Sequence, residues 1–455
     1  MKTNFEIIKK FHTYLPDTYC NKQFLLPVEK SKKNSITLKY NDIYLHSKYD
    51  PVNESKKFID NYNIQDNSII IILGIGLGYH LDYLYKKFPS SYFIVIENNI
   101  KIFSTFVNYA NEYLINSENI YYFINPSSYH QIEKLISFLS VIKLKNFPKI
   151  YIIPHPPSIK LNKKKYNEIE NILLEIKNNI YSNYITTKKL LPLWERNINK
   201  NLKLFNTSHK LIELKNKFKD KEIVIIGAGP SLENYIHFLK NKKDLIKIAV
   251  DTSLYFLIRN NIIPEFVISL DAKFENLYDF IGIKNFRNIN LIYDIITFPK
   301  IPPLFKNRYI TYTYRLVEDL NNNYYEYYEP PVKKVIERYG NFGGLQSGGS
   351  VATNALDFAL FVNAKKIYLI GIDLKYINYK SHCKGTYVDR YFLTRSNKLF
   401  NFETLNFYSI INRKILKVEK DKEGNLIHYD FILDKYKKWF TDAINLIGNN
   451  KIIQI

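Results

Sequence analysis

The sequence predicts an α/β protein made of two doubly wound units joined by helices. Two series of strongly apolar runs carry this expectation, each run followed by an amphipathic stretch, and the series are separated by some 60 residues, 161–220, almost free of Gly and Pro. Runs such as IIIIL at Ile69–Leu73 are apolar throughout, as strands are when helices cover both faces of a parallel sheet. A chain of 455 residues also exceeds one ordinary hydrophobic core, which favours two.

The first series holds IIIIL, YFIVIE, IYYFI and IYIIP, with helical signals near Leu84 and Phe103, and defines an N-terminal domain over residues 1–160. Residues 161–220, with Leu and Ile at helical spacing among Lys and Asn, read as a helical connector. The second series holds EIVII, KIAV, FVISL, LIYDI and KIYLIGI and defines a core domain over residues 221–385. Residues 386–455 read as a C-terminal helical region, with an amphipathic helix near Lys435 to Leu446 and no evident chemistry.

Composition excludes several classes. With 46% hydrophobic and 16% aromatic residues, the chain can bury enough apolar surface to rule out disorder. The formal charge of +22 would suit nucleic acid. The basic residues are nevertheless spread along the whole chain as Lys beside Asn and Ile, with no nucleic-acid module, so a diffuse Lys bias is the plainer explanation and no nucleic-acid partner is expected. Cys20 and Cys383 are too few for a disulfide framework or a four-ligand zinc site, which suits a reducing compartment. The opening residues lack a secretory leader pattern, and the most apolar stretch, near Ile69 to Leu81, is short and glycine-interrupted, so a cytoplasmic location without a membrane span is expected.

GIGLGYH follows the first apolar run, and the next run ends in Glu97. Gly74, Gly76 and Gly78 after a strand, a helix start and a distal acid are the Rossmann-like arrangement for a nucleotide or S-adenosylmethionine. The same glycines would equally let helix and sheet pack closely, so a methyltransferase and a purely structural turn both stand.

In the core domain, IVIIGAGPSLE puts Gly227 and Gly229 in a turn after a strand, with Pro230 and Ser231 opening a helix. Pro suits a first helical turn and the free N–H groups there can hold an anion, so a nucleotide phosphate is the expected ligand, against a plain tight turn. The P-loop lysine is missing, which argues against a Walker ATPase. Asp251, followed by Thr252, and Asp271 end successive strands, where open α/β sheets bind ligands; either could hold a ribose hydroxyl, a base amine or a metal, and Asp251 could instead cap a helix. QSGGSVATNALDFAL supplies a second cradle, Ser347, Gly348, Gly349 and Ser350, although Ser350 also suits a simple helix start, and the following strand ends in Asp373.

LHSKYDPVNES with ILGIGLGYHLDYL, then GAGPSLE, NNIIPEFVISLDAK, SGGSVATNALDFAL and IYLIGIDLKY, in this order over residues 40–385, resemble the motility accessory factor (Maf) glycosyltransferases and their MptE-like relatives. The SGGSVA and GID elements are also similar to the donor-binding part of bacterial sialyltransferases. The resemblance implies a GT-A-like core domain, a CMP-activated nonulosonic (sialic-acid-like) sugar as donor, and Ser or Thr of flagellin or a similar protein as acceptor; no separate cofactor is expected, no metal ligands are singled out, and use of a divalent metal stays open. Glu265, Ala272 and Ile372 depart from the common Maf pattern.

Departure of a phosphate and removal of a proton from the acceptor are the two tasks of such a transfer. The turns at Gly227–Ser231 and Ser347–Ser350, with Tyr376 or Tyr379, are expected to hold the leaving phosphate. His382, in the loop beyond GIDLKY, is the expected base, against a surface histidine in a polar loop. His12, His46, His130, His155, His209, His237 and His428 are expected to be structural, and His80 to pack against its helix. Two rival functions remain: an MptE-like 6-hydroxymethylpterin diphosphokinase, and a non-catalytic flagellar assembly factor.

Overall fold

The computed structural model describes residues 13–14, 25–144, 149–413, 415–421, 424–448 and 450–455; Cys20 and His12 lie outside the described residues. The chain forms two compact units, residues 1–187 with 316–327 and residues 188–315 with 328–455.

The first unit is built on a parallel sheet in the order Thr13–Tyr14, Ile120–Ile124, Tyr92–Glu97, Ile69–Leu73, Ile150–Pro154. The pleat explains why IIIIL is apolar at every position. Ile70 and Ile72 enter the core on one face, while Ile69, Ile71 and Leu73 enter that on the other. Each of these five side chains is fully buried and contributes about 2 kcal/mol of hydrophobic stabilisation. A small antiparallel sheet, Val28–Lys30, Ile36–Tyr40 and Ile43–Tyr44, precedes the helix Pro51–Asp60, whose start is capped by Asp50 accepting from Asn53 N–H.

The expected connector is mostly one helix, Lys163–Asn201. Its first half buries Tyr166, Ile169, Leu173 and Ile176 in the first unit's core. Its last turns belong to the second unit, where Asn197 donates to the carbonyls of Ala272 and Ile296, and Asn201 to those of Ile295 and Thr297. Buried asparagines on a helix satisfy loop carbonyls there that no backbone donor reaches.

The second unit repeats the principle on a larger scale. Its main path runs Arg308–Glu318, Asn290–Asp294, Phe266–Ser269, Ile246–Val250, Glu222–Ile226, Lys366–Ile370, Ile452–Gln454, with all pairings parallel. Glu222–Ile226 is flanked by the next strand in sequence on one side and by Lys366–Ile370 on the other, which creates a switch point at its carboxyl end. Ile223 and Ile225 face one core and Val224 and Ile226 the opposite one.

The C-terminal region is not helices alone, as the sequence had suggested. It contains the helices Tyr387–Arg395, Phe402–Ile411 and Phe431–Ile447, the hairpin Ile415–Lys420 with Leu426–Asp430, and the edge strand Ile452–Gln454. Leu426–Asp430 pairs with Tyr376–Ile377, and Ile452–Gln454 with Lys366–Ile370, so the segment is part of the core unit. Such pairings are between distant residues and leave no local periodicity to read. Among the described residues, no helix is long and apolar enough to cross a membrane.

Candidate functional site

A cavity of about 370 Å³ opens at the switch point of the second unit. Its floor is made where two turns meet. Gly227 N–H donates to Ile370 O at 2.8 Å and Gly229 N–H to Gly371 O at 2.7 Å. A Cβ on Gly227 would lie 2.3 Å from the Gly371 carbonyl oxygen, so glycine is required by the close approach of two backbones. Leu374 continues the second turn at φ +51°, a left-handed conformation that a leucine adopts only under constraint from its surroundings.

The structure brings together Gly227, Gly229, Asp251, Thr252, Ser350, Asp373 and His382 on the cavity wall. Other expected residues are placed elsewhere. Pro230 and Ser231 lie off the wall in a six-residue 3-10 turn, Pro230–Tyr235, and Ser231 N–H donates to Asp373 Oδ2 at 2.9 Å. The donor expected to meet a phosphate is thus used by the protein's own carboxylate. Asp271 is exposed, caps its own turn by accepting from Lys273 N–H, and is not on the wall. Of the second cradle only Ser350 reaches the cavity. Gly348 N–H is spent on Thr353 Oγ1 and Ser347 N–H on Tyr314 O. Gly348 and Gly349 instead run beneath the C-terminal helix, where an added Cβ would come 2.7 Å from the Trp439 and Tyr436 rings respectively.

Ser350 precedes the helix Val351–Phe361, and Val351 and Ala352 line the cavity beside it. The first N–H groups of a helix have no intrahelical acceptor, so this start can receive an anion. The Ser350 hydroxyl is buried and has no hydrogen-bond partner among the described residues. On the opposite strand end Asp251 is 2% exposed, accepts from Thr252 N–H and from Asn276 Nδ2, and is held above the usual carboxylate range by burial. Asp279 is pushed up to about 8, chiefly by burial and then by the Asp251 charge, with Arg390 opposing.

His382 accepts or donates through Nδ1 to Ser381 Oγ at 2.9 Å. Burial, and secondarily the Arg413 charge, lower its pKa to about 4. The imidazole is therefore neutral throughout the physiological range rather than titrating near neutrality, the basis on which the sequence had singled it out. A neutral imidazole can still take a proton in a transition state, with a basicity near that of a carboxylate.

The rest of the wall comes from the C-terminal segment, where the sequence had offered no chemistry: Arg413, Asp430, Ile432, Leu433 and Tyr436. Asp430 anchors this side. Its Oδ1 accepts from Leu433 N–H at 2.7 Å and so caps the helix Phe431–Ile447, while its Oδ2 accepts from Tyr376 OH at 2.6 Å. An Asp before an amphipathic helix, HYDFIL, is a recognisable capping signal; that its other oxygen would reach Tyr376 is not. Tyr379, the other tyrosine expected to assist the leaving phosphate, instead packs against Phe407 and His428.

At the corresponding switch point of the first unit, the glycine turn is filled from within. Gly74, Gly76 and Gly78 all have positive φ, and a Cβ on Gly74 would meet Ser158 at 2.2 Å and one on Gly76 His46 Nε2 at 2.5 Å. Ile75 N–H donates to Glu97 Oε2, and Glu97 Oε1 accepts from Asn99 N–H and the Tyr166 hydroxyl. Leu77 N–H donates to His46 Nε2, and His80 Nε2 bonds Gly74 O. His155 stacks on His80 with ring centroids 4.6 Å apart. Side chains of the protein thus occupy the donors that a dinucleotide would use, and Glu97 binds the turn instead of a ribose.

Fold and site together define a doubly wound α/β protein with an open switch-point cavity in its second unit and, in its first, a glycine turn whose Ile75 and Leu77 N–H groups are taken by side chains. Residues 196–379 match the family model described as 6-hydroxymethylpterin diphosphokinase MptE-like. The fold is similar, with a TM-score of 0.53, to that of a MAf glycosyltransferase from Magnetospirillum magneticum AMB-1, at 12% identity over 99% of this chain and 72% of that one. Two uncharacterized proteins of Treponema pallidum (strain Nichols) are also similar. One is 25% identical over 414 residues, 87% of this chain and 68% of the relative; the other is 30% identical over 94 residues, 21% of this chain and 33% of the relative.

Proposed function

We propose that the protein is a glycosyltransferase whose second unit moves a nonulosonic sugar from a CMP donor to a Ser or Thr hydroxyl of flagellin or a similar protein. The observation that carries this reading is the switch-point cavity itself. It combines a free helix start at Ser350, two cationic side chains, Lys375 and Arg413, and an uncharged His382. The fold shared with a Maf glycosyltransferase supports it.

In this reading the acceptor oxygen attacks the anomeric carbon while the bond from that carbon to the donor phosphate oxygen breaks, and CMP leaves with the bonding electrons. The N–H groups at Val351 and Ala352 and the nearby cations stabilise the phosphate charge as it grows. His382 takes the hydroxyl proton. Asp251, on the wall beside Thr252, is suited to the nucleoside.

The match to an MptE-like family favours a second reading, transfer of pyrophosphate from ATP to a pterin alcohol. ATP chemistry ordinarily uses Mg²⁺ held by carboxylates. The acids available for that differ in situation: Asp271 lies off the wall, and Asp251 and Asp373 already accept internal hydrogen bonds. Thermal denaturation separates the readings. CMP should raise the melting temperature in EDTA, and ATP with Mg²⁺ should do so less; a preference for ATP with a strict Mg²⁺ requirement would overturn the glycosyltransferase reading. Intact-mass analysis of flagellin from a deletion strain then tests the acceptor, and an unchanged mass would remove flagellin.

A further inference from the structure

The charged groups of the cavity are not equally available to a ligand. Asp251, Asp373 and Asp430 line it, yet each already accepts hydrogen bonds within the protein: Asp251 from Thr252 N–H and Asn276, Asp373 from Ser231 N–H, and Asp430 from Leu433 N–H and Tyr376. Arg413 is in the reverse position. Its hydrogen bond is made through Nε, to Ser409 O at 3.2 Å. Its Nη1 is 3.7 Å from Asp430 Oδ2, an ion pair beyond hydrogen-bond length, while Asp430 accepts shorter bonds from Leu433 N–H and the Tyr376 hydroxyl. The guanidinium lies 5.4 Å from the centroid of the Tyr376 ring, and its side chain is 48% exposed.

We infer that Arg413, beside Lys375 and the start of the helix at Val351, is a residue through which this cavity takes an oxyanion of its ligand, a phosphate or a carboxylate, with Asp430 as its tether and the Tyr376 ring as its platform. The planar guanidinium presents two amino groups in a fixed fork that matches two oxygens of such an anion, and here it is held by Nε on Ser409 O and by the Tyr376 hydroxyl, which interacts with it as well as with Asp430. Asp430 attracts it without a short bond, so an incoming anion need not displace one. Tyr376 limits its rotation, which reduces the ordering that binding would otherwise require. The inference rests on the proposed function for the identity of the ligand, though not for its charge. In a CMP-nonulosonate both the phosphate and the sugar carboxylate have the required chemistry.

Calorimetric titration of the full chain with inorganic phosphate, CMP, AMP, cytidine and N-acetylneuraminate, in wild type, Arg413→Gln and Arg413→Lys, tests this. Loss of charge-assisted hydrogen bonds should weaken the anion that Arg413 reads by about 10- to 100-fold in the Gln variant, and less in the Lys variant, which keeps the charge but not the fork. Cytidine, which carries no anion, should bind all three alike. A loss confined to phosphate and CMP assigns the phosphate, and one confined to N-acetylneuraminate assigns the carboxylate. Equal binding of every anion by wild type and Arg413→Gln would overturn the assignment. So would an equal loss of cytidine, which would mark a structural role, or failure of wild type to bind any of these anions at millimolar concentration. If Arg413→Gln does not fold, the Lys variant decides by the same comparison of CMP with cytidine. Phosphate binding that depends on Arg413 without any preference for CMP over AMP would leave the anion site standing and remove the CMP-donor reading.

Discussion

At the scale of single residues, burial sets the chemistry of the cavity. His382 is neutral because an imidazolium there would lose hydration and face Arg413. If it is the base, the acid limb of the kcat/KM profile should fall near pH 4 rather than near 6.5, and His382→Ala should lower turnover by about two to four orders of magnitude with little change in donor binding. A limb at 6.5 that survives in His382→Ala would assign the proton to another group. Asp279 offers the opposite case. Burial raises it to about 8, so it is expected to be uncharged at neutral pH, and Asp279→Asn should then change stability at pH 7 by no more than about 1 kcal/mol. Denaturant unfolding that shows a much larger loss would mean that Asp279 is ionised in the native protein.

At the scale of elements, the C-terminal helix Phe431–Ile447 is fixed at its start by one side chain that also reaches across to the cavity. Asp430→Ala removes the cap on Leu433 N–H and leaves the Tyr376 hydroxyl, buried beside it, without its acceptor. The expected cost is about 2–4 kcal/mol, the sum of a lost cap and an unsatisfied buried donor. Asp430→Asn, which keeps an acceptor for one of the two, should cost less. Thermal denaturation of the two variants checks the order, and equal melting temperatures would show that the cap carries nothing. The Ile452–Gln454 strand illustrates a different limit. Three residues at a sheet edge join Lys366–Ile370 from more than 80 positions away, and no local pattern announces a pairing of that kind.

At the scale of the whole molecule, the same topology has been put to two uses. Each unit has a glycine turn at a switch point; one opens on a cavity, whereas in the other Glu97, His46, His80 and His155 fill the crevice over Gly74–Leu77, and Leu77 and Gly78 border a separate cavity of about 800 Å³. Because the Ile75 and Leu77 N–H groups are already taken, titration of the protein with S-adenosylmethionine should give no heat of binding, and micromolar affinity abolished by Gly76→Arg would contradict this reading of the turn. Closure by histidines also fixes a pH dependence. His80 is lowered to about 4, and His46 and His155 well below 6.5, chiefly by burial. The unfolded chain takes up these protons first, so their contribution to stability is complete above pH 6.5 and is lost as pH falls from 6.5 toward about 4. Each such histidine adds about 1.4 kcal/mol per pH unit to that slope. Hydrogen exchange across Ile69–Leu73 should accelerate between pH 7 and pH 5 beyond its intrinsic pH dependence, and less so in His80→Gln; protection independent of pH would show that these rings are not buried neutral.

The sequence by itself determined the fold class, because strands buried on both faces must be apolar at every position and glycines must stand where two backbones meet. IIIIL, EIVII and GAG are local statements of those requirements. It also located Asp251, Ser350, Asp373 and His382, each just beyond a strand or before a helix. Only the tertiary structure decided whether a glycine turn is empty or filled, since His46, Ser158 and Glu97 reach the first turn from elsewhere in the chain. Only it brought Arg413 and Asp430 to the cavity, and only it lowered His382, because burial and the charge of a residue 31 positions away belong to the packed molecule and not to any segment of it.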